Sequence, residues 1–184
     1  MEKRSVENRR VVSGARTSVP IWPLSPPEVD PRARRLSIVE IGGPAAGIAA
    51  GWRAQAGGFL PEEQVSLLTA ETADVPFLDR LREHLAQAEV GWRMLIAGPE
   101  AEVLAVQSEA IQAGAVPSEI ASFVTGVAIR RIRCAHCRTL HRAELSPGDT
   151  YRCAGCGYLL LVHPHVSRLH GAYLGARADA EVAS

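Results

Sequence analysis

The chain has 184 residues, 47% of them hydrophobic, and carries 20 basic against 20 acidic residues for a formal net charge of zero. That length suits one ordinary α/β domain plus a small module, and a pI near 7 gives no reason to expect nucleic acid or an anionic membrane as partner. No apolar run reaches the roughly eighteen residues that span a bilayer, and Met1-Glu-Lys-Arg leads into polar residues rather than a signal core, so a cytoplasmic protein with reduced thiols is expected.

Residues 1 to about 15 are charged and unpatterned. In Val19-Pro20-Ile21-Trp22-Pro23-Leu24-Ser25-Pro26-Pro27 the prolines remove donors and push their predecessors to extended geometry, so residues 1–30 read as an extended or disordered segment along a surface. An α/β domain is expected over 31–130. Arg35 to Ile41 is rich in branched residues and reads as a strand, followed by the Gly42-Gly43-Pro44 turn and an alanine-rich helix to about Gln55. Gln64 to Thr69 reads as a second strand. Asp74 can cap a helix whose Phe77, Leu78, Leu81 and Leu85 share one face. Trp92 to Ala97 is a third strand; Gly98-Pro99-Glu100 turns it into a helix from Ala101 to about Ala113, which Gly114 can end. Glu119 to Val124 and Val127 to Arg133 supply two more strands, with Arg130, Arg131 and Arg133 as a solvated face. Alternating strands and helices predict a short, mostly parallel sheet with helices on both faces.

A C-terminal module is expected over 131–184. Cys134-Ala-His-Cys137 and Cys153-Ala-Gly-Cys156 are two CxxC pairs separated by fifteen residues, spacing suited to aiming four thiolates at one tetrahedral metal and predictive of a zinc ribbon. Gly157 follows the second pair and lets backbone amides turn toward the sulfurs. Arg138 follows the first, and this sequence asymmetry favours zinc over a rubredoxin-like iron centre. Four thiolates would leave no open position for water or substrate, so the metal would hold structure together. His136 and His141 lie close enough to compete as ligands, but four thiolates leave little need of imidazole. No catalytic residue is read.

Ala97-Gly98-Pro99-Glu100, followed by a helix and a short strand, resembles the end of the nicotinamide-binding module of ferredoxin reductases. In that family a strand ending in C-G-P-x faces the nicotinamide, and Gly42-Gly43 resembles its turn toward pyrophosphate. The resemblance implies Gly42, Gly43, Gly98, Pro99 and Glu100 as cofactor-binding positions. The chain departs from the pattern in having Ala97 in place of the cysteine, about 90 residues in the module, and no flavin-binding barrel before it. NADPH binding is therefore expected to be weak or absent, and tight βα turns are the plainer reading of the glycines.

The two CxxC pairs, then Leu159-Leu-Leu-Val162, His165-Val-Ser167-Arg168, Ala172-Tyr173-Leu-Gly175 and Asp179-Ala-Glu181, resemble the small accessory subunit of bacterial dimethylamine monooxygenases, as does Thr17-Ser-Val-Pro20. The resemblance implies a non-catalytic subunit of a complex that uses NADPH and dioxygen to convert dimethylamine to methylamine and formaldehyde. A haem oxygenase subunit and a flavin and iron-sulfur reductase subunit would be its partners. This chain has no haem-attachment CxxCH and no cysteine beyond the four, so assembly or electron-path support is the expected role. His165, Ser167, Arg168 and Tyr173 are the expected partner-binding residues; the plainer reading of this tail is a polar helix face packed on the ribbon, with Leu169 and Leu174 inward. A dinucleotide-binding electron carrier with a rubredoxin-like iron centre is the alternative function, and a nucleic-acid adaptor a weaker third.

Overall fold

The computed structural model describes residues 17–178, so residues 1–16 of the N-terminal segment and the Asp179 to Glu181 motif lie outside the described residues. Four parallel strands form sheet A: β1 (Arg35–Ile41), β2 (Val65–Ala70), β3 (Trp92–Pro99) and β4 (Ile120–Gly126), in spatial order β2-β1-β3-β4. The central strands β1 and β3 are buried on both faces, as expected for continuous apolar runs in a parallel sheet. A short 3-10 turn over Gly43–Ala45 leads into α1 (Ala46–Ala56), which packs on one face through Ala49, Trp52 and Ala56 against Leu36, Ile38, Leu95 and Ala97. The opposite face carries α2 (Val75–Leu85) and α3 (Glu100–Gln112). Asp74 caps α2 by accepting from the Phe77 N–H at 3.0 Å, and Phe77, Leu81 and Leu85 point into the core. The predicted parallel sheet with helices on both faces is present.

A second sheet follows, larger than a two-knuckle ribbon. Sheet B contains β5 (Arg130–Cys134), β6 (Leu140–Ala143), β7 (Thr150–Arg152), β8 (Leu159–Ser167) and β9 (Ala172–Arg177), in order β6-β5-β9-β8-β7. All its pairs are antiparallel except β5 with β9. The pairing of β8 with β9 shifts register between Val162 and Val166, where Pro164 has no N–H for a ladder. The tail is therefore a strand pair and not a helix face. Leu169 is exposed and Leu174 half-buried, so neither points inward as the helical reading required.

The helix α3 is wedged between the sheets. Val103, Val106 and Ala110 face the core of sheet A, whereas Leu104 joins Ile132, Val162, Val166 and Tyr173 from sheet B. Two carboxylates of its first turn are buried in the seam. Glu100 Oε1 accepts from Trp22 Nε1 at 2.9 Å and from the Tyr173 hydroxyl at 3.1 Å, and its Oε2 lies 3.6 Å from Arg130 Nε. Glu102 accepts from the Ala73 N–H at 2.8 Å and pairs with Arg142. Arg130 and Arg131 are thus not a solvated face. Arg130 meets Glu100 and lies 5.6 Å over the Tyr173 ring, and the Arg131 guanidinium is half-buried, so that desolvation makes its charged form less favourable.

The proline-rich stretch is extended, as its sequence predicts, and crosses both sheets. Thr17 Oγ1 donates to the Pro164 carbonyl at 2.9 Å, Ser18 Oγ exchanges hydrogen bonds with the Val166 backbone, and the Trp52 indole donates to the Pro27 carbonyl at 2.7 Å. Its contacts fix a strap across the seam.

Candidate metal centre

Each CxxC pair sits where a strand ends and the chain turns back. β5 delivers Cys134 and β7 ends just before Cys153. In the first knuckle Cys134 N donates to Thr139 O at 3.0 Å and Arg138 N to Cys134 O at 3.0 Å. In the second, Cys153 N donates to Tyr158 O at 2.9 Å and Gly157 N to Cys153 O at 2.8 Å. The two turns have the same bonding pattern. Arg138, at φ 66°, adopts the left-handed conformation that Gly157 adopts at φ 75°. The asymmetry read from the missing glycine is absent from the backbone, and it gives no ground for choosing zinc over iron.

The four sulfurs lie within 4.8 Å of one another. Cys134 and Cys156 are separated by 3.8 Å, and Cys137 and Cys153 by 3.5 Å. Thiolates about 2.3 Å from a tetrahedral metal stand about 3.8 Å apart, so the donor set fits such an ion. Electrostatics point the same way. The Thr139 hydroxyl, 3.2 Å from Cys137 Sγ, helps lower that thiol to about 6. Cys156 is held down by the Tyr158 backbone, but loss of solvent and the neighbouring sulfurs win and push it up to about 12. Four adjacent thiols do not all ionise unless a cation balances them.

Two neighbours shape the cluster. His141 on β6 places Nε2 3.2 Å from Cys153 Sγ, its ring edge-on to Tyr151 at 5.1 Å. It touches the Cys153 sulfur from outside the four-sulfur group. His136 is exposed and packs edge-on against Tyr158 at 4.6 Å. Gly155 has no room for a side chain, because a Cβ there would run into Thr139 and sit 3.1 Å from Cys137 Sγ. The roles of Thr139 and Gly155 were not read from the sequence, although both lie within two residues of a knuckle cysteine.

Of the five positions expected to bind a cofactor, Gly42, Gly43, Gly98 and Pro99 lie at the carboxyl edge of sheet A, at the switch point between β1 and β3 where open α/β sheets bind ligands. Gly42 has φ 75° and its N–H is engaged by Ala70 O at 2.8 Å; Gly43 is exposed. Gly98 lets the strands close, since a Cβ there would lie 3.0 Å from both Cβ and carbonyl O of Ile41. Pro99 precedes α3. Glu100 does not line that edge: its carboxylate turns into the seam, where it is occupied by Trp22, Tyr173 and Arg130.

The expected partner-binding residues do not form one exposed patch. His165 is exposed, with Nδ1 3.0 Å from Ser18 Oγ, and Ser167 Oγ accepts from the His170 N–H at 3.3 Å. Arg168 is exposed and lines a groove of about 430 Å³ between the strap and α3. Tyr173 is only 1% exposed. Its burial in the seam corrects the reading of this ring as a surface anchor.

Comparison with known proteins places the C-terminal module. Residues 131–176 match the family model described as "Dimethylamine monooxygenase subunit DmmA-like, C-terminal domain". A curated protein of Ectopseudomonas mendocina (strain ymp), the "Heme-dependent oxidative N-demethylase delta subunit", is 37% identical over 97 residues. That match covers 53% of this chain and 54% of the relative, so the chain spans about half the length of the curated relative it matches. No solved structure matches it significantly. Both matches agree with the resemblance read from the knuckles and tail. Among the described residues no helix is long and apolar enough to cross a membrane.

Proposed function

We propose that this chain is a non-catalytic accessory subunit of a multicomponent oxidative N-demethylase that acts on dimethylamine in the cytoplasm. The observation that carries the reading is the four-sulfur cluster inside the segment matched to the DmmA-like C-terminal domain. Cys134, Cys137, Cys153 and Cys156 hold one zinc ion, which supplies closed tetrahedral coordination and fixes the two knuckles. The haem oxygenase subunit and the flavin and iron-sulfur reductase subunit carry the oxidation, using dioxygen and NADPH. This chain supports their assembly or the delivery of electrons between them.

Several observations support a role without an active site of its own. A metal with four protein thiolates has no position left for substrate. At the carboxyl edge of sheet A, Gly42 spends its N–H on the Ala70 carbonyl and has none left for a phosphate. That arrangement disfavours a nucleotide phosphate there.

One observation favours a second reading, an electron-transfer protein with a rubredoxin-like iron centre: the matching hydrogen bonds of the two knuckles. Metal analysis and colour separate the two, because ferric tetrathiolate is red and reducible whereas zinc is colourless. Co-expression of the tagged chain with the products of neighbouring genes tests the subunit reading. Partners that stay bound through washing, with formaldehyde formed from dimethylamine, are expected. A chain that purifies alone and whose omission leaves demethylation intact would sink it.

A further inference from the structure

We infer that the exposed side of the cysteine cluster, rimmed by Arg138, Arg152 and Arg177, is a docking surface for an acidic protein surface on another subunit. The inference rests on the subunit reading for its partner, but its evidence is the distribution of charge. The net charge of zero conceals a division. Between Thr17 and Ile129 there are fourteen acidic residues and seven arginines, whereas Arg130 to Ala178 holds eight arginines and two acids. Arg130 and Arg142 spend their charge on the buried carboxylates of the seam. Three of the remaining arginines gather around the metal knuckles.

Arg138 directly follows Cys137, and Arg152 donates to the carbonyl of Gly157 at 3.1 Å, next to Cys156. Arg177 lies 4.6 Å over the Tyr158 ring. All three are exposed, as are parts of Cys137 and Cys156, while Cys134 and Cys153 are buried. The charges are therefore held near the partly exposed cysteines of the cluster, with Arg152 and Arg177 already oriented by their contacts. Guanidinium groups match carboxylates in planar, paired hydrogen bonds. Nucleic acid is the other polyanion such a rim meets, but single strands are bound by stacking bases on aromatic faces. Here Arg177 covers the face of Tyr158 and His136 meets the ring at close range. The acidic part of the chain adds direction, because it repels an acidic partner and leaves the cysteine end as the approach of lowest energy.

The test uses the full chain co-expressed with the neighbouring gene products. In the Arg138→Glu/Arg152→Glu variant, affinity for the partner should fall about tenfold or more and lose much of its salt dependence, with metal content unchanged. In a second variant, Arg138→Lys/Arg152→Lys, the new amines should cross-link to partner carboxylates with a carbodiimide. A complex that forms equally well with the reversed charges and gives no cross-link overturns the docking surface while the subunit reading stands. Failure of the wild-type chain to form any complex sinks the subunit reading instead, and a ten-residue polyglutamate peptide then decides the rim. Binding by the wild-type chain and loss in the charge-reversed variant supports it; equal binding, or tighter binding of duplex DNA than of the peptide at the same salt, overturns it.

Discussion

The Tyr173 hydroxyl donates to Glu100 at 3.1 Å across the seam between the sheets, joining β9 to the first turn of α3. Because Trp22 donates to the same oxygen and Arg130 approaches the other, Glu100→Ala would leave the buried Tyr173 hydroxyl and the partly buried Trp22 indole and Arg130 guanidinium without their partner. The expected loss is about 3–5 kcal/mol. Tyr173→Phe removes one hydrogen bond and should cost about 1 kcal/mol. Denaturant unfolding followed by tryptophan fluorescence measures both; equal losses for the two variants would contradict the central place given to Glu100.

Removal of the metal should act on sheet B first. Cys153→Ser is expected to lose the bound ion and unfold the knuckles, since coordination supplies the folding free energy of so small a unit. Helices α1, α2 and α3 all pack on sheet A, so far-UV helical signal should largely survive. Trp22 emission should shift to longer wavelength as its Glu100 and sheet B contacts loosen. Full retention of metal in this variant would exclude Cys153 as a ligand.

Stability should depend on His84 in weakly acidic solution. Ser37 Oγ lies 2.7 Å from His84 Nε2 and accepts from the Trp92 indole at 2.7 Å. Arg35 and Glu63 line the same small cleft. Burial holds His84 below the ordinary histidine value. A depressed folded pKa means that the unfolded chain takes up the proton first. The contribution of His84 is therefore complete above about 6.5 and is lost as pH falls through the folded value. His84→Gln should flatten this part of the curve of melting temperature against pH; an unchanged slope would remove His84 as its source.

The glycines at the edge of sheet A should separate by space. Gly98→Ala forces a Cβ against Ile41 and should cost about 1–3 kcal/mol. Gly43 has nothing within 4 Å of such an atom, so Gly43→Ala should stay within about 0.5 kcal/mol of the parent. Calorimetry with NADPH is expected to give weak or no binding in all three proteins. Micromolar affinity abolished by Gly43→Ala would show that this turn holds a ligand.

The first knuckle offers a further check on conformation. Arg138→Gly relieves a left-handed residue by about 1 kcal/mol, which the greater chain entropy of glycine offsets by about 0.5–1 kcal/mol. Melting temperature should change little. Arg138→Val places a branched residue at φ 66° and should lower it clearly; equal melting of both variants would remove strain from the account.

Local signals carried much of the architecture. The apolar runs of β1 and β3, Asp74 before the spaced Phe77, Leu81 and Leu85, and the two CxxC pairs all announce themselves within a few residues. What escaped was set by distance along the chain or by silence of the residue type. Glu100 and Glu102 look like ordinary acids of a helix start, and the arginines that bury them come thirty and forty residues later. The His163-Pro164-His165 interruption broke the alternation of β8, which made the tail look helical. Arg138 gives no hint that it will take a glycine's conformation.

The position of β9 bears on the order in which the protein is built. β9 lies in the middle of sheet B, between β5 and β8, yet it is the last described strand. During synthesis all four cysteines precede it, so the knuckles can close on an ion while the sheet still lacks its centre. Only when β9 slides between its neighbours does Tyr173 reach Glu100. If an ion is captured as soon as the four cysteines have emerged, the nascent chain holds it before the Tyr173–Glu100 link between the two sheets can form.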